Sequence, residues 1–149
     1  MLHSKDFQQV VKNTPLVSID LIVQNKKGKI LLGKRINEPA KNFWFVPGGR
    51  ILKDETLDDA FARLTEGEIG KVHHRDSADF LGVYEHFYDN NVFNNKFSTH
   101  HVVLAYKVYE DDIILNDQHE EYEWYSIDTL LSSKDVHQHT KDYFMEKRL

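Results

Sequence analysis

The chain has 149 residues, of which 40% are apolar and 29% charged, with a formal net charge of −5. That suits one globular domain and excludes a broad basic field for holding nucleic acid, although a local pair of arginines can still grip a phosphate. The absence of cysteine excludes disulfides and thiolate metal sites, and no stretch is long and apolar enough for a signal peptide or a membrane span, so a single cytoplasmic domain over residues 1–149 is expected.

Residues 4–13 place Phe7, Val10 and Val11 on one side of a short amphipathic helix, with Ser4 as its cap and the Asn13-Thr14-Pro15 run as its stop. LVSIDLIV at 16–23 reads as a strand, 25–28 as a turn and 29–32 as a returning strand. Residues 36–43 form a loop, and 44–46 a short extended piece before two glycines. A helix follows over 56–69. Residues 78–88 alternate as a strand, 89–96 form a polar loop, and 99–108 return as a long strand. A last strand at 121–126 precedes helical stretches at 127–132 and 136–147. Strands come in groups with helices set apart, which predicts an α+β class with a mixed sheet between helices.

The helix at 56–69 carries the chemistry. Thr56 suits its N-cap, and Asp58 and Asp59 suit the positive end of its dipole. At about 100° per residue, Leu57, Phe61 and Leu64 share the buried face. Glu68 falls on the same stripe, while Asp59, Arg63 and Glu66 point away. An inward carboxylate has three explanations: a frayed last turn at Gly67 that lets it reach water, a salt bridge to Arg63 or Arg50, or a metal ion. The Gly48-Gly49-Arg50 run just upstream favours the last, because glycines admit a ligand close to the backbone and arginine pairs with phosphate.

From Gly49 through Glu55 and Arg63 to Glu68 and Gly70, this segment resembles the signature box of the Nudix family. The resemblance implies a Nudix-like mixed β-sheet sandwiched between helices. Where the family run reads Arg-Glu-aliphatic-x-Glu-Glu-x-Gly, this chain has Leu64 and Gly67 in place of two glutamates, which implies fewer metal ions. Further stretches resemble the GDP-mannose mannosyl hydrolase branch of the family. They are TPLVSIDLIV (14–23), LLGKR (31–35), WFVPGGR (44–50), KDETL (53–57), GVYEHFYD (82–89) and DQHEEYEW (117–124).

That resemblance implies hydrolysis of GDP-mannose, and of GDP-glucose, to GDP and free sugar, with water attacking the anomeric carbon with inversion. It implies one Mg²⁺, replaceable in binding by Mn²⁺ or Ca²⁺, held by the Gly48 carbonyl, Glu68 and Gln118. All three are oxygen donors suited to a hard cation. His119 matches the general base, and Arg35 and Arg50 match diphosphate contacts. Asp20 matches a residue that places the sugar or its water. Arg63 is expected beside the substrate as an orienter of the box acids. His86 and Tyr88, two apart on a strand and so on one face, match substrate-side residues. Where the branch carries a tyrosine, this chain has His101, so that role is not carried over. The branch forms a homodimer whose N-terminal segment reaches the partner's nucleotide site. Phe7 and Leu2 match that contact, with plain core packing an equal reading for Phe7. Two other functions stay open: a nucleotide-sugar diphosphatase releasing GMP and a sugar phosphate, and a non-catalytic module that binds a nucleoside diphosphate.

Overall fold

The computed structural model describes residues 2–93, 96–114 and 121–145. Helix α1 (Ser4–Asn13) leads into strand β1 (Leu16–Gln24). The predicted cap Ser4 lies inside the helix; His3 is the capping position, without a side-chain hydrogen bond. Strands β2 (Ile30–Lys34), β3 (Trp44–Phe45) and β4 (Gly48–Arg50) precede α2 (Leu57–Ile69). After a 3₁₀ turn at Arg75–Ser77 come β5 (Asp79–Tyr88), β6 (Thr99–Tyr109) and β7 (Tyr122–Tyr125). Helices α3 (Ile127–Ser132) and α4 (Gln138–Lys141) and a 3₁₀ turn (Asp142–Phe144) follow. The single long helix expected over 136–147 is therefore two short pieces where it is described. The Gly48-Gly49-Arg50 run, to which the sequence assigns no element, is itself the short strand β4.

Seven strands form one mixed sheet in the order β3-β2-β1-β6-β5, with β4 pairing β1 and β7 pairing β2. The β1–β6 pair is parallel, from Leu16 opposite His101 to Gln24 opposite Tyr109. The others are antiparallel. A strand buried on both faces must be apolar nearly throughout, and β1 is. Its Ile19, Leu21 and Val23 face α2, packing with Leu31, Phe61, Leu64, Tyr106 and Val108. Ile22 faces the other layer with Ile30, Leu32, Ala105, Leu130 and Val136. On that second face β1 also carries Ser18 and Asp20, where a core would take hydrocarbon. The site opens there.

Helix α2 begins and ends as its sequence dictates. The Thr56 hydroxyl accepts from the Asp59 N–H at 3.1 Å. Gly70 closes the helix in the left-handed region at φ 79°, its N–H bonded to the Glu66 carbonyl. Among the described residues, no helix is long and apolar enough to cross a membrane.

Candidate active site

A cavity of about 460 Å³ opens between β1, β4, α2 and the loop after β2. Phe7, Asp20, Arg35, Gly48, Arg50, Glu68, His86, Tyr88 and His101 all line it. Residues from α1, α2 and four strands thus converge. Leu2 is 48% exposed and lies outside this lining. Gln118 and His119 lie outside the described residues.

The glycine pair brings β4 against its neighbours. A Cβ on Gly48 would sit 2.4 Å from the Ile19 carbonyl oxygen and 2.6 Å from Asp20 Oδ1. A Cβ on Gly49 would sit 2.5 Å from Leu64 Cδ2. At Gly48 the obstacle is backbone, so that position requires glycine for close approach, whereas at Gly49 it is the end of the Leu64 side chain, which would have to shift. The pairing also sets carbonyl direction. Leu21 N–H donates to Pro47 O at 2.8 Å, and Ile51 N–H donates to Val17 O at 2.8 Å. Alternation then turns the Gly48 and Arg50 carbonyls away from β1. The Arg50 carbonyl indeed accepts from Arg63 on α2, at 2.9 Å.

Arg63 does not line the cavity. Its guanidinium binds both Glu55 oxygens, at 2.7 and 3.0 Å, as well as the Arg50 carbonyl. Glu55 in turn accepts from the Leu52 N–H. This clamp fixes the loop between β4 and α2 and holds the Glu55 carboxyl below its ordinary range, chiefly through the Arg63 hydrogen bond. The geometry gives Arg63 an orienting position beneath the cavity, without direct access to it. Glu68 reaches the cavity from one turn further along, where the Tyr122 hydroxyl donates to its Oε2 at 3.3 Å. Burial and the neighbouring Glu68 push the Tyr122 phenol up, so it stays a donor.

Two arginines present cationic heads to the cavity, each placed over a ring. Arg35 lies 4.3 Å over Phe45 and 5.7 Å from the Tyr88 ring centre, and also donates to the Pro39 carbonyl. Arg50 lies 4.3 Å over Phe7, whose edge meets Phe93 at 5.7 Å. Phe7, expected against a partner subunit or in the core, thus packs on Arg50 of its own chain. Guanidinium planes held this way are oriented before any anion arrives.

The far wall is built of histidines and tyrosines. His86 and His139 stack at 4.3 Å, with planes 5° apart. His139 meets His137 at 4.5 Å, and His137 stacks on Phe45 at 4.7 Å. Burial first, and then neighbouring imidazoles and Arg35, pull His86 down to about 3. Burial first and then Arg35 pull His101 down to about 4. His137 is also pulled to about 4, by burial and then His139. These rings are neutral at pH 7, so the positive charge of the cavity lining comes from Lys34, Arg35 and Arg50. His101 Nδ1 lies 2.7 Å from the Ser18 hydroxyl, which explains the polar residue at that place on β1. Asp20 is pushed up to about 6 by burial, against the lowering effect of its Tyr143 hydrogen bond and of Arg35. Ser18, Phe45, Tyr122, His137, His139 and Tyr143 were not singled out in the sequence. The only signal for the last three is the alternation of HQH at 137–139 and a lone tyrosine four residues on.

The residues present suit a hard divalent cation. The Gly48 carbonyl is turned off β1 toward α2, and Glu68 stands on the cavity side of that helix. Both offer oxygen. Among the described residues no three His, Asp or Glu side chains gather as a metal cluster. Such a cation would therefore draw much of its shell from ligand oxygens and water.

The comparisons agree with this architecture. The chain matches the NUDIX domain over residues 14–147 and belongs to the Nudix hydrolase family. It is 43% identical over 107 residues to the low-salt glycan biosynthesis protein Agl8 of Haloferax volcanii, covering 72% of this chain and 67% of that protein. It is 40% identical over 70 residues to an ADP-ribose pyrophosphatase of Methanocaldococcus jannaschii, covering 47% of this chain and 40% of that one. Among solved structures, the MutT protein of Methanosarcina mazei Go1 superposes with a TM-score of 0.69 at 23% identity, covering 89% of this chain and 92% of the other. The expected α+β fold, a mixed sheet with helices on both faces, is the one observed.

Proposed function

We propose that this Nudix hydrolase cleaves GDP-mannose, and GDP-glucose, to GDP and free sugar by attack of water at the anomeric carbon with inversion. The observation that carries the reading is the altered box. Leu64, at the place of a family glutamate, is 5% exposed and packed in the α2 core. Gly67 offers no side chain at the second place. A multi-metal cluster built for attack at phosphorus thus lacks two carboxylates. Attack at carbon asks less of the protein: it needs a stabilised leaving group and an oriented water.

The named relatives support the chemical class. One is a glycan biosynthesis protein and another an ADP-ribose pyrophosphatase, so a sugar or ribose joined to a nucleoside diphosphate is the substrate type. Arg35 and Arg50, braced on Phe45 and Phe7, would take the diphosphate. The Gly48 carbonyl and Glu68, with Gln118 as the resemblance implies, would hold one Mg²⁺. When bound, that ion neutralises charge on the departing diphosphate. His86, Tyr88 and Asp20 form the sugar side, and His119 is the general base. The same reading takes the working form to be a cytoplasmic homodimer, with Leu2 and Phe7 near the partner's nucleotide.

The similarity to an ADP-ribose pyrophosphatase favours a second reading, cleavage at phosphorus to GMP and a sugar phosphate. Products decide. Incubation with GDP-mannose and Mg²⁺ in ¹⁸O-labelled water should give unlabelled GDP and labelled mannose. Labelled GMP or mannose phosphate would overturn the proposal and favour the second reading.

A further inference from the structure

Tyr143 lies in the 3₁₀ turn after α4, far in sequence from every residue of the signature box. Its ring packs edge-on against Tyr84 at 4.7 Å. Its hydroxyl stands between two residues of the cavity wall, 2.5 Å from Asp20 Oδ2 and 3.3 Å from His86 Nε2. A phenol has one proton to give. The shorter contact is to a carboxylate, which only accepts when ionised, so the proton goes to Asp20. The phenol oxygen is then the acceptor for His86, which must carry its proton on Nε2. The other Asp20 oxygen, Oδ1, is left on the Gly48 side, as its 2.6 Å approach to a Cβ at that glycine records.

We propose that Tyr143 is a positioning residue of this site. Its hydroxyl locks the Asp20 carboxylate with Oδ1 toward Gly48 and the cavity, and it fixes neutral His86 in the Nε2–H tautomer with Nδ1 as the acceptor.

Three further contacts fit this assignment. His139 lies flat on His86 and its Nε2 is 3.3 Å from the Phe87 carbonyl, so it too carries an Nε2 proton. The His139 backbone N–H donates to His137 Nδ1 at 3.0 Å, which leaves that ring's proton on Nε2. Stacking against a ring that is itself held stops the His86 imidazole from flipping. The tautomer matters because a neutral imidazole offers one donor and one acceptor, and exchanging them changes which substrate hydroxyl it can meet. The role of Tyr143 in turnover rests on the GDP-sugar reading above, in which Asp20 and His86 form the sugar side; the locked geometry does not.

The test separates the two. Long-range ¹H–¹⁵N spectra of the ligand-free protein report the tautomer of each histidine, with His86 assigned by the loss of its signals in His86→Asn. Wild type should show His86 as Nε2–H, and Tyr143→Phe should shift it toward a tautomer mixture. An Nδ1–H tautomer in wild type, or no change in Tyr143→Phe, overturns the inference. The phenylalanine keeps the packing on Tyr84, so unfolding curves should stay close to wild type. With GDP-mannose as substrate, Tyr143→Phe should lower kcat about tenfold while KM changes less than about threefold, the size of effect expected from one lost hydrogen bond to a charged group. A tautomer change with kcat intact makes Tyr143 structural and overturns the positioning role. If wild type does not turn over GDP-mannose, the GDP-sugar reading fails, and the ring spectra alone decide the locked geometry.

Discussion

Two limbs of the molecule shape the cavity, one lining it and the other bracing the lining residues from behind, and they are built differently. The first is β4 with α2, a continuous stretch from Gly48 to Ile69 whose parts touch over short separations. Arg63 reaches Glu55 eight residues back, and Thr56 caps Asp59 three residues on. The second is the C-terminal limb, α3, α4 and the turn that follows. It contributes Tyr143 to Asp20 across 123 residues and to His86 across 57. Asp20 joins the limbs, with Oδ1 near Gly48 and Oδ2 on Tyr143. The first limb supplies charge and backbone oxygen. The second supplies neutral, stacked, hydrogen-bonded rings. Under the proposed GDP-sugar reading, the first limb meets the diphosphate and the second holds the residues of the sugar side.

The largest effect should come from forcing the first limb back to the family pattern. Leu64 is buried beneath Gly49, within the core cluster of Phe61 and Ile19. Leu64→Glu removes its packing and buries a carboxylate in hydrocarbon, so a loss of roughly 3–5 kcal/mol is expected. Urea unfolding measures it. A loss below about 1 kcal/mol would mean that the carboxylate finds the cavity, and that this limb is more tolerant than its packing indicates.

The second limb, together with the β5 and β6 histidines beside it, should respond to acid. His86, His101 and His137 are depressed in the folded state, to about 3, about 4 and about 4. Unfolding returns each to about 6.5. The unfolded chain therefore binds more protons between about pH 4 and 6, and stability falls as pH drops through that window. Asp20, raised to about 6, works in the opposite sense and offsets roughly one of them. The net slope should be about 1 kcal/mol per pH unit after allowance for solvent screening of the half-buried His137. Thermal unfolding from pH 7 to 4.5 checks it. His137→Phe should flatten the slope; an unchanged slope would assign the acid sensitivity elsewhere.

A smaller effect should separate the braces under the arginines. Phe45→Leu removes the ring beneath Arg35 but keeps an apolar side chain. GDP binding, measured by calorimetry, should weaken about fivefold, or about 1 kcal/mol, the usual worth of a partly exposed cation–π contact. Unchanged affinity would mean that the Pro39 carbonyl and the Tyr88 ring suffice to orient Arg35.

What the sequence disclosed follows the same division. The first limb was legible because its constraints are local. Helical period placed Glu68 inward and Arg63 outward, and the glycine pair announced a close approach. Even there, the pairing of Gly48–Arg50 to β1 as a strand is visible only in the structure, since a strand of three residues has no period to read. The β1 strand was legible as a buried run, and Asp20 stood out as an acid within it. Its partner did not, because nothing local to KDYF ties a tyrosine to a strand at the other end of the chain. The long helix expected at 136–147 failed for a related reason. His137 turns its own side chain back to accept from the His139 N–H, and the chain tightens into a 3₁₀ turn at Asp142 that carries Tyr143 over the sheet.

The least disruptive change returns to the first limb and asks whether its second missing carboxylate was displaced by packing, as the Leu64 one was. At Gly67 it was not. A Cβ added there meets nothing within 4 Å, and the residue is exposed on α2. Gly67→Ala should therefore raise stability by about 0.5–1 kcal/mol, the helix-propensity difference between the two residues. Alanine is a cleaner probe than glutamate, because an acid in the last turn also meets the negative end of the helix dipole. A rise in the urea midpoint with unchanged products from GDP-mannose would mean that this position is vacant of function, and that the buried Leu64 alone separates this box from one built for phosphorus. A drop in stability would show that α2 needs the freedom of glycine beside Glu68, and that both departures from the family box serve the site.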